Sequence, residues 1–338
     1  MNNIFVYCEI ENGVTADVSL ELLTKGRELA NRLNCKLEAI ALGHKLEGVE
    51  NLLFDYGADV VHTADDERLS PYRTLPHTAI VTGVFREENP QIALFGATTL
   101  GRDLAPRVSS ALKSGLTADC TSLEIGDHSD SKGKEYKDLL LQIRPAFGGN
   151  IIATIINPDN RPQMATVREG VMRKAPVTNP KQGEVKRIQA DKYFSDTDFA
   201  VSIIERHIEE RKVDIKGAPI IVSGGYGMGS RENFGMLYEL AALLGGEVGA
   251  SRAAVDAGFA EHARQVGQTG VTVRPKLYIA CGISGQVQHT AGMQESAMII
   301  AINNDPKAPI NQIADYTVTG DVSDVVPKMI KYYKANTK

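Results

Sequence analysis

What most constrains this chain is a rhythm: short β-branched runs alternate with amphipathic helical runs along most of its length. Ile4-Phe5-Val6-Tyr7 reads as a strand. Ser19 to Leu33 then carries Leu20, Leu23, Leu29 and Leu33 at close to helical spacing. Leu37 to Leu42 predicts the next strand, and Leu46 to Tyr56 a helix ended by Gly57, a residue suited to a C-terminal cap. Val60-Val61 and Ile92 to Phe95 are further strands, and Gly101 to Leu112 a further helix. Strands joined by helices must cross over to re-enter one sheet, so such a chain builds a parallel sheet with helices on both faces.

The rhythm changes after about residue 137. Leu139 to Ile143, Ile151 to Ile156 and Met164 to Val167 are strands with no room for helices between them, which predicts an antiparallel appendage. Pro176 to Asp191 holds two prolines and two lysines with no apolar periodicity and reads as an interdomain linker. The rhythm then restarts with strands at Ile220 to Val222, Glu247 to Gly249, Leu277 to Ala280, Met298 to Ile302 and Tyr316 to Val318. Helices are expected at Asn233 to Leu244, Ser251 to Ala257, after Gly282, and at Asp321 to Tyr333, with Asp321 as N-cap. The expected architecture is therefore α/β with two domains, residues 1–190 and 191–338. A chain of 338 residues accommodates two, at roughly 100–200 residues each.

Charge and composition exclude several classes. Lys plus Arg number 37 against 42 Asp plus Glu, a net charge of −5, with no basic stripe for nucleic acid. Aromatic residues are 6% with no Trp, which argues against a stacking surface for single strands. No apolar run reaches the roughly 18 residues of a membrane span. Met1-Asn2-Asn3 leads straight into a strand without a basic region, so no signal peptide and a cytoplasmic location are expected. Cys8, Cys35, Cys120 and Cys281 form no C-x-x-C and read as buried thiols. The seven histidines include no H-x-x-x-H pair, so no metal site is expected.

The chemistry gathers after the strands of the second half. Strand 220–222 runs into Ser223-Gly224-Gly225-Tyr226-Gly227-Met228-Gly229-Ser230, and strand 247–249 into Ala250-Ser251-Arg252. Strand 277–280 runs into Cys281-Gly282-Ile283-Ser284-Gly285-Gln286, strand 298–302 into Asn303-Asn304-Asp305, and strand 316–318 into Thr319-Gly320-Asp321. In a parallel sheet all five loops share the carboxyl edge, where open α/β sheets bind ligands. Glycine lets backbone N–H groups approach a ligand closely. The edge is built like a nucleotide site, although tight strand-to-helix turns would use the same residues. There is no G-x-x-x-x-G-K-[ST], and 223–230 does not fit G-x-G-x-x-G. Ser223-Gly224-Gly225 is similar to the S-G-G-x-D-S loop of ATP pyrophosphatases, but Gly227 and Met228 replace its Asp and Ser. No acyl-transfer or hydrolytic constellation stands out, and no acid–base pair is assigned. The ionisable groups on the edge are Arg252, His289 and Asp321. Singly they suit an ion pair, a core histidine and a helix cap; their shared edge points to a ligand.

Several long motifs, in order, resemble the alpha subunit of electron transfer flavoproteins. They are Gly96-Ala97-Thr98 through Arg107, Gly115 to Cys120, Arg144 to Asn150, Val248 to Gly258, Gln265 to Gly270, Gly282 through His289, and Ala301 to Pro306. The resemblance implies a Rossmann-like C-terminal domain holding one FAD, and a heterodimer with a beta subunit that the flavin ring faces. It implies electron transfer from acyl-CoA dehydrogenases or other flavin dehydrogenases, or from NADH through the beta subunit in bifurcating members. Carried over, Ser251 and Arg252 sit by the isoalloxazine. Val266, Gly267, Gln268 and Thr269 run along the ring, with the Thr269 hydroxyl near N5. Ser284, Gly285, Gln286, Val287, Gln288 and His289 run from pyrophosphate to ring, with His289 near the pyrimidine carbonyl. Asn303, Asp321 and Val322 belong to the nucleotide half. Tyr226 stands where the family usually has an Arg that contacts FAD, so either one ion pair is lost or a base such as Arg231 compensates. An ATP pyrophosphatase-type enzyme and a scaffold that only holds the beta subunit are the alternatives.

Overall fold

A computed structural model describes residues 3–145, 152–180, 182–206 and 215–336. They form two compact units, one ending at Arg206 and one running from Ile215 onward.

The N-terminal unit opens with β1 (Ile4–Cys8), buried at every position as a strand covered on both faces must be. A small hairpin of β2 (Ile10–Glu11) and β3 (Val14–Thr15) leads into α1 (Asp17–Leu33). There follow β4 (Leu37–Gly43), α2 (Val49–Asp55), β5 (Val60–Asp65), α3 (Thr74–Glu88), β6 (Ile92–Gly96) and α4 (Thr99–Leu112). Next come β7 (Leu116–Cys120), β8 (Ser122–Ser129), β9 (Glu135–Pro145), β10 (Ile152–Ile155), β11 (Gln163–Val167) and β12 (Glu184–Arg187). Seven strands make one parallel sheet in the order β12-β5-β4-β1-β6-β11-β7, and β10-β9-β8 make a small antiparallel one. Strand alternation divides β1 between two cores. Ile4, Val6 and Cys8 pack with α1, while Phe5 and Tyr7 pack with α3 and α4.

Three expectations need correction. Met164 to Val167 does not belong to the antiparallel appendage. It lies in β11, a wholly buried parallel strand between β6 and β7. The supposed linker contains β12, which pairs with β5 at the sheet edge. Its sequence, Glu-Val-Lys-Arg, is charged because an edge strand half in water has no apolar face to hide. The unit then runs past the boundary expected at 190: Lys192 and Tyr193 bond Glu87 of α3 at 2.8 and 3.0 Å. Third, α3 went unread because Pro76 lies in its first turn and its apolar residues are spread around the helix. The Arg144 to Asn150 motif lies mostly outside the described residues.

The strand order reverses between β1 and β6, which opens a crevice at their carboxyl ends. Here the protein fills it. The Glu9 carboxylate, just past β1, accepts from the Thr98 hydroxyl at 2.8 and 2.9 Å, and Thr98 in turn caps α4 through the Gly101 N–H. Burial drives the Glu9 pKa from 4.5 to about 7, opposed by the Thr98 bond and reinforced by Glu169. A carboxyl raised in this way binds its proton more tightly folded than unfolded. Stability is therefore greatest at low pH and falls as pH rises from about 4.5 to 7, then levels off. At about 1.4 kcal/mol per unit the fall is up to about 3 kcal/mol. Glu9→Gln should remove this component, so the variant gains on wild type at pH 8 and not at pH 4.5. Urea unfolding at the two pH values checks this; parallel pH slopes would refute it.

The C-terminal unit comprises β13 (Ile220–Gly224), α5 (Phe234–Leu244), β14 (Glu247–Ala250), α6 (Arg252–Asp256), β15 (Leu277–Cys281), α7 (Val287–Thr290), β16 (Ile299–Asn303), β17 (Tyr316–Thr319) and α8 (Val322–Asn336). All five strands are parallel, in the order β14-β13-β15-β16-β17. The helix expected after Gly282 is only the four residues of α7; residues 282–286 stay an open loop.

Candidate functional site

The second strand-order reversal falls between β13 and β15, and there the carboxyl edge is open. A cleft of about 740 Å³ is lined by residues following four of the five strands. That volume lies in the range of cofactor and ligand sites.

Backbone contact sets its floor. Gly225 N–H donates to the Cys281 carbonyl at 2.8 Å and Gly227 N–H to the Gly282 carbonyl at 3.1 Å. A Cβ on Gly225 would stand 2.1 Å from the Gly282 oxygen, so only glycine permits this approach. The loop 265–271 forms one wall. Val266 N–H bonds the Ala250 carbonyl at 2.9 Å, and Gln268 N–H bonds the Gln288 carbonyl at 2.6 Å. Ser251 caps α6 by accepting from the Ala254 N–H at 3.3 Å. Asn303 ends β16 and fastens the opposite loop by donating to the Ile283 carbonyl at 2.8 Å.

Of the residues singled out from sequence, Tyr226, Ser251, Arg252, Val266, Gly267, Thr269, Ser284, Gln286, Gln288, His289 and Asn303 line this cleft. Gln268, Gly285, Val287, Asp321 and Val322 do not. Gly285 supports the loop from behind, against Ile310. Asp321 is exposed and caps α8: it accepts from the Ser323 N–H and hydroxyl at 2.8 and 2.6 Å, which lowers its pKa. Val322 packs in the core beneath α8. Arg231 is not in the lining either. The Tyr226 ring stacks on Phe259, centroids 5.8 Å apart, so an aromatic face stands where a cation was expected.

The resemblance assigned no role to Gly227, Ala253, Asp256, Gln265, Gly282, Ile283, Asp305, Ala308 or Pro309, which also line the cleft. All but the last two had a signal, since they lie in the loops and motifs singled out from sequence. Ala308 and Pro309 had none, because they arrive through packing of Ile310 on Gly285.

Arg252 is the one Lys or Arg lining the cleft among the described residues, and its Nε lies 3.4 Å from Asp256. His289 is buried, and burial pulls its pKa down to about 4. The Ser223 hydroxyl of the Ser-Gly-Gly run is wholly buried, so it is not presented as a phosphate-binding serine would be.

An open cleft at a strand-order reversal, floored by closely packed glycine loops and walled by one aromatic ring, defines a dinucleotide-type cofactor domain. A family model described as electron transfer flavoprotein domain matches residues 4–193, and one described as electron transfer flavoprotein FAD-binding domain matches residues 214–294. The electron transfer flavoprotein subunit alpha of Thermoanaerobacterium thermosaccharolyticum is 46% identical, over 98% of this chain and 98% of its own. Acryloyl-CoA reductase electron transfer subunit beta of Anaerotignum propionicum is 42% identical over 98% and 95%, and Protein FixB of Rhizobium meliloti 40% identical over 98% and 92%. The chain belongs to the electron transfer flavoprotein alpha-subunit family, a carrier of electrons whose cofactor is FAD. No helix of the described residues is long and apolar enough to cross a membrane.

The donor set fits that cofactor: backbone loops and hydroxyls, one cation, and mostly apolar walls for a flat ring. Gly285→Ala tests the loop. Its φ is +86° and a Cβ would stand 2.2 Å from the Ile310 nitrogen, so the loop must shift. The variant should purify with most of its visible flavin absorbance lost; full flavin content would show that the loop does not shape the site.

Proposed function

We propose that the chain is the FAD-holding subunit of a two-chain electron carrier, paired with a beta subunit and exchanging electrons with flavin dehydrogenases of the acyl-CoA type. The single observation that carries this is the cleft at the β13–β15 reversal, open and sized for a cofactor. The names of relatives support the pairing: one is a subunit alpha and another an electron transfer subunit of acryloyl-CoA reductase.

When bound, FAD supplies reversible electron uptake at its ring, and the protein supplies position and field. Val266 and Gly267 would hold the ring, with Gln268 fixing their loop through its N–H bond to the Gln288 carbonyl. Thr269 Oγ1 accepts from Gln265 Nε2 at 3.0 Å, which leaves the threonine's own O–H free to serve as a donor to a bound ring. Ser284, Gln286 and Gln288 would hold the pyrophosphate. Asn303 would serve the nucleotide half, and the Gly320 N–H bonds the Asn303 carbonyl at 3.0 Å, holding the loop before α8 beside it. Tyr226 offers an aromatic face in place of an ion pair.

Arg252 provides the positive field. Two unit charges about 4 Å apart interact by about 4 kcal/mol at an effective dielectric of about 20. For a one-electron couple about 59 mV is a factor of ten. Arg252 is exposed and paired with Asp256, so only part of this acts on the cofactor; Arg252→Ala should keep FAD but lower its first reduction potential by on the order of tens of millivolts. A spectroelectrochemical titration of the heterodimer reads this; an unchanged potential removes Arg252 from the role. The function itself is tested by co-expressing the chain with a beta subunit, recording the visible spectrum, counting FAD per heterodimer and assaying NADH reduction. A colourless heterodimer would defeat the proposal.

A further inference from the structure

His289 has both ring nitrogens engaged. Nδ1 lies 3.1 Å from the Val266 carbonyl oxygen, and Nε2 lies 3.0 Å from the Tyr278 hydroxyl. A carbonyl oxygen only accepts, so Nδ1 carries the proton. In the neutral ring Nε2 is then a bare acceptor, and the Tyr278 O–H is its donor. Tyr278 is wholly buried in β15 and His289 is 6% exposed. Tyr278 is not among the residues lining the cleft, whereas His289 is.

The surroundings favour the uncharged ring. Burial opposes the imidazolium, and it raises the Tyr278 phenol, which therefore stays a donor. The Cys281 thiol, three residues along β15, is pushed up to about 12 by burial and is neutral. The Ser223 hydroxyl of β13 is buried and adds no charge. The charged side chains on the cleft are Arg252 and Asp256 of α6 and Asp305 after β16, and neither nitrogen of His289 bonds any of them.

We propose that Tyr278 is a positioning residue of the flavin site: from inside the sheet it locks His289 as the neutral, Nδ1-protonated tautomer, so that Arg252 is the only fixed cation the cleft offers among the described residues. The inference rests on the reading of this cleft as the FAD site. With Nε2 capped, His289 takes up no proton across roughly pH 5 to 8, the range in which an ordinary histidine titrates. The potential of the cofactor is thereby insulated from that titration. Removing the hydroxyl withdraws the bond that favours the neutral ring, so the pKa rises, while burial still holds it below the ordinary value of about 6.5.

The test uses the FAD-loaded heterodimer with isotope-labelled histidine and nitrogen NMR. Wild-type His289 should show a protonated Nδ1 and a bare Nε2, unmoved from about pH 5 to pH 8. Tyr278→Phe keeps the buried ring. It should give a His289 that titrates within that window, with its pKa raised by on the order of one to two units. The flavin midpoint potential should acquire a pH dependence that wild type lacks at the same pH. A wild-type ring protonated at Nε2 would overturn the assignment. So would a Tyr278→Phe variant whose histidine signals and potential profile match wild type. A heterodimer without flavin would instead defeat the reading of the cleft, and its wild-type histidine signature would still decide the tautomer.

Discussion

The site depends on two backbone hydrogen bonds, Gly225 N–H to Cys281 O and Gly227 N–H to Gly282 O. They draw the loop after β13 onto the loop after β15, where the strand order reverses. Side chains there would hold the loops apart and close the cleft floor. Because neither loop carries a Cβ at the crossing, the floor is made of peptide groups, and the walls can be supplied by loops from β14 and β16. Each wall is fastened by a bond of its own: Val266 to Ala250 on one side and Asn303 to Ile283 on the other.

The two units use one architecture with opposite results. Each is a parallel sheet with a reversal at its middle, and each reversal leaves a crevice at the carboxyl edge. In the N-terminal unit Glu9 and Thr98 fill it, and the cost is a carboxyl whose ionisation is resisted by burial. In the C-terminal unit the described residues leave a cleft of about 740 Å³. Topology makes the crevice; the side chains at its mouth decide whether it stays available.

The electrostatics of the open cleft are sparse. His289 is held between Val266 and Tyr278, and among the described residues the cleft's charged side chains are Asp256, Asp305 and a single Arg252. Such a site holds a cofactor in place and sets the field in which that cofactor takes and gives electrons.

Much of this was legible in the residues. The alternation of apolar runs determined the parallel sheets, because a strand buried on both faces and a helix buried on one leave different periodicities. The motifs after β13, β14, β15 and β16 determined the cofactor class and most of the cleft lining. What the tertiary structure alone decided was placement at a distance. β11 is drawn back into the centre of the first sheet, β12 becomes an edge strand inside an apparent linker, and Ala308 and Pro309 reach the cleft through Ile310. Tyr278 reads in sequence as one more core residue of a strand. Its hydroxyl matters only because folding brings His289, eleven residues on, to within 3.0 Å of it. A local pattern reports which face of an element is buried, and it cannot report which group waits on the other side.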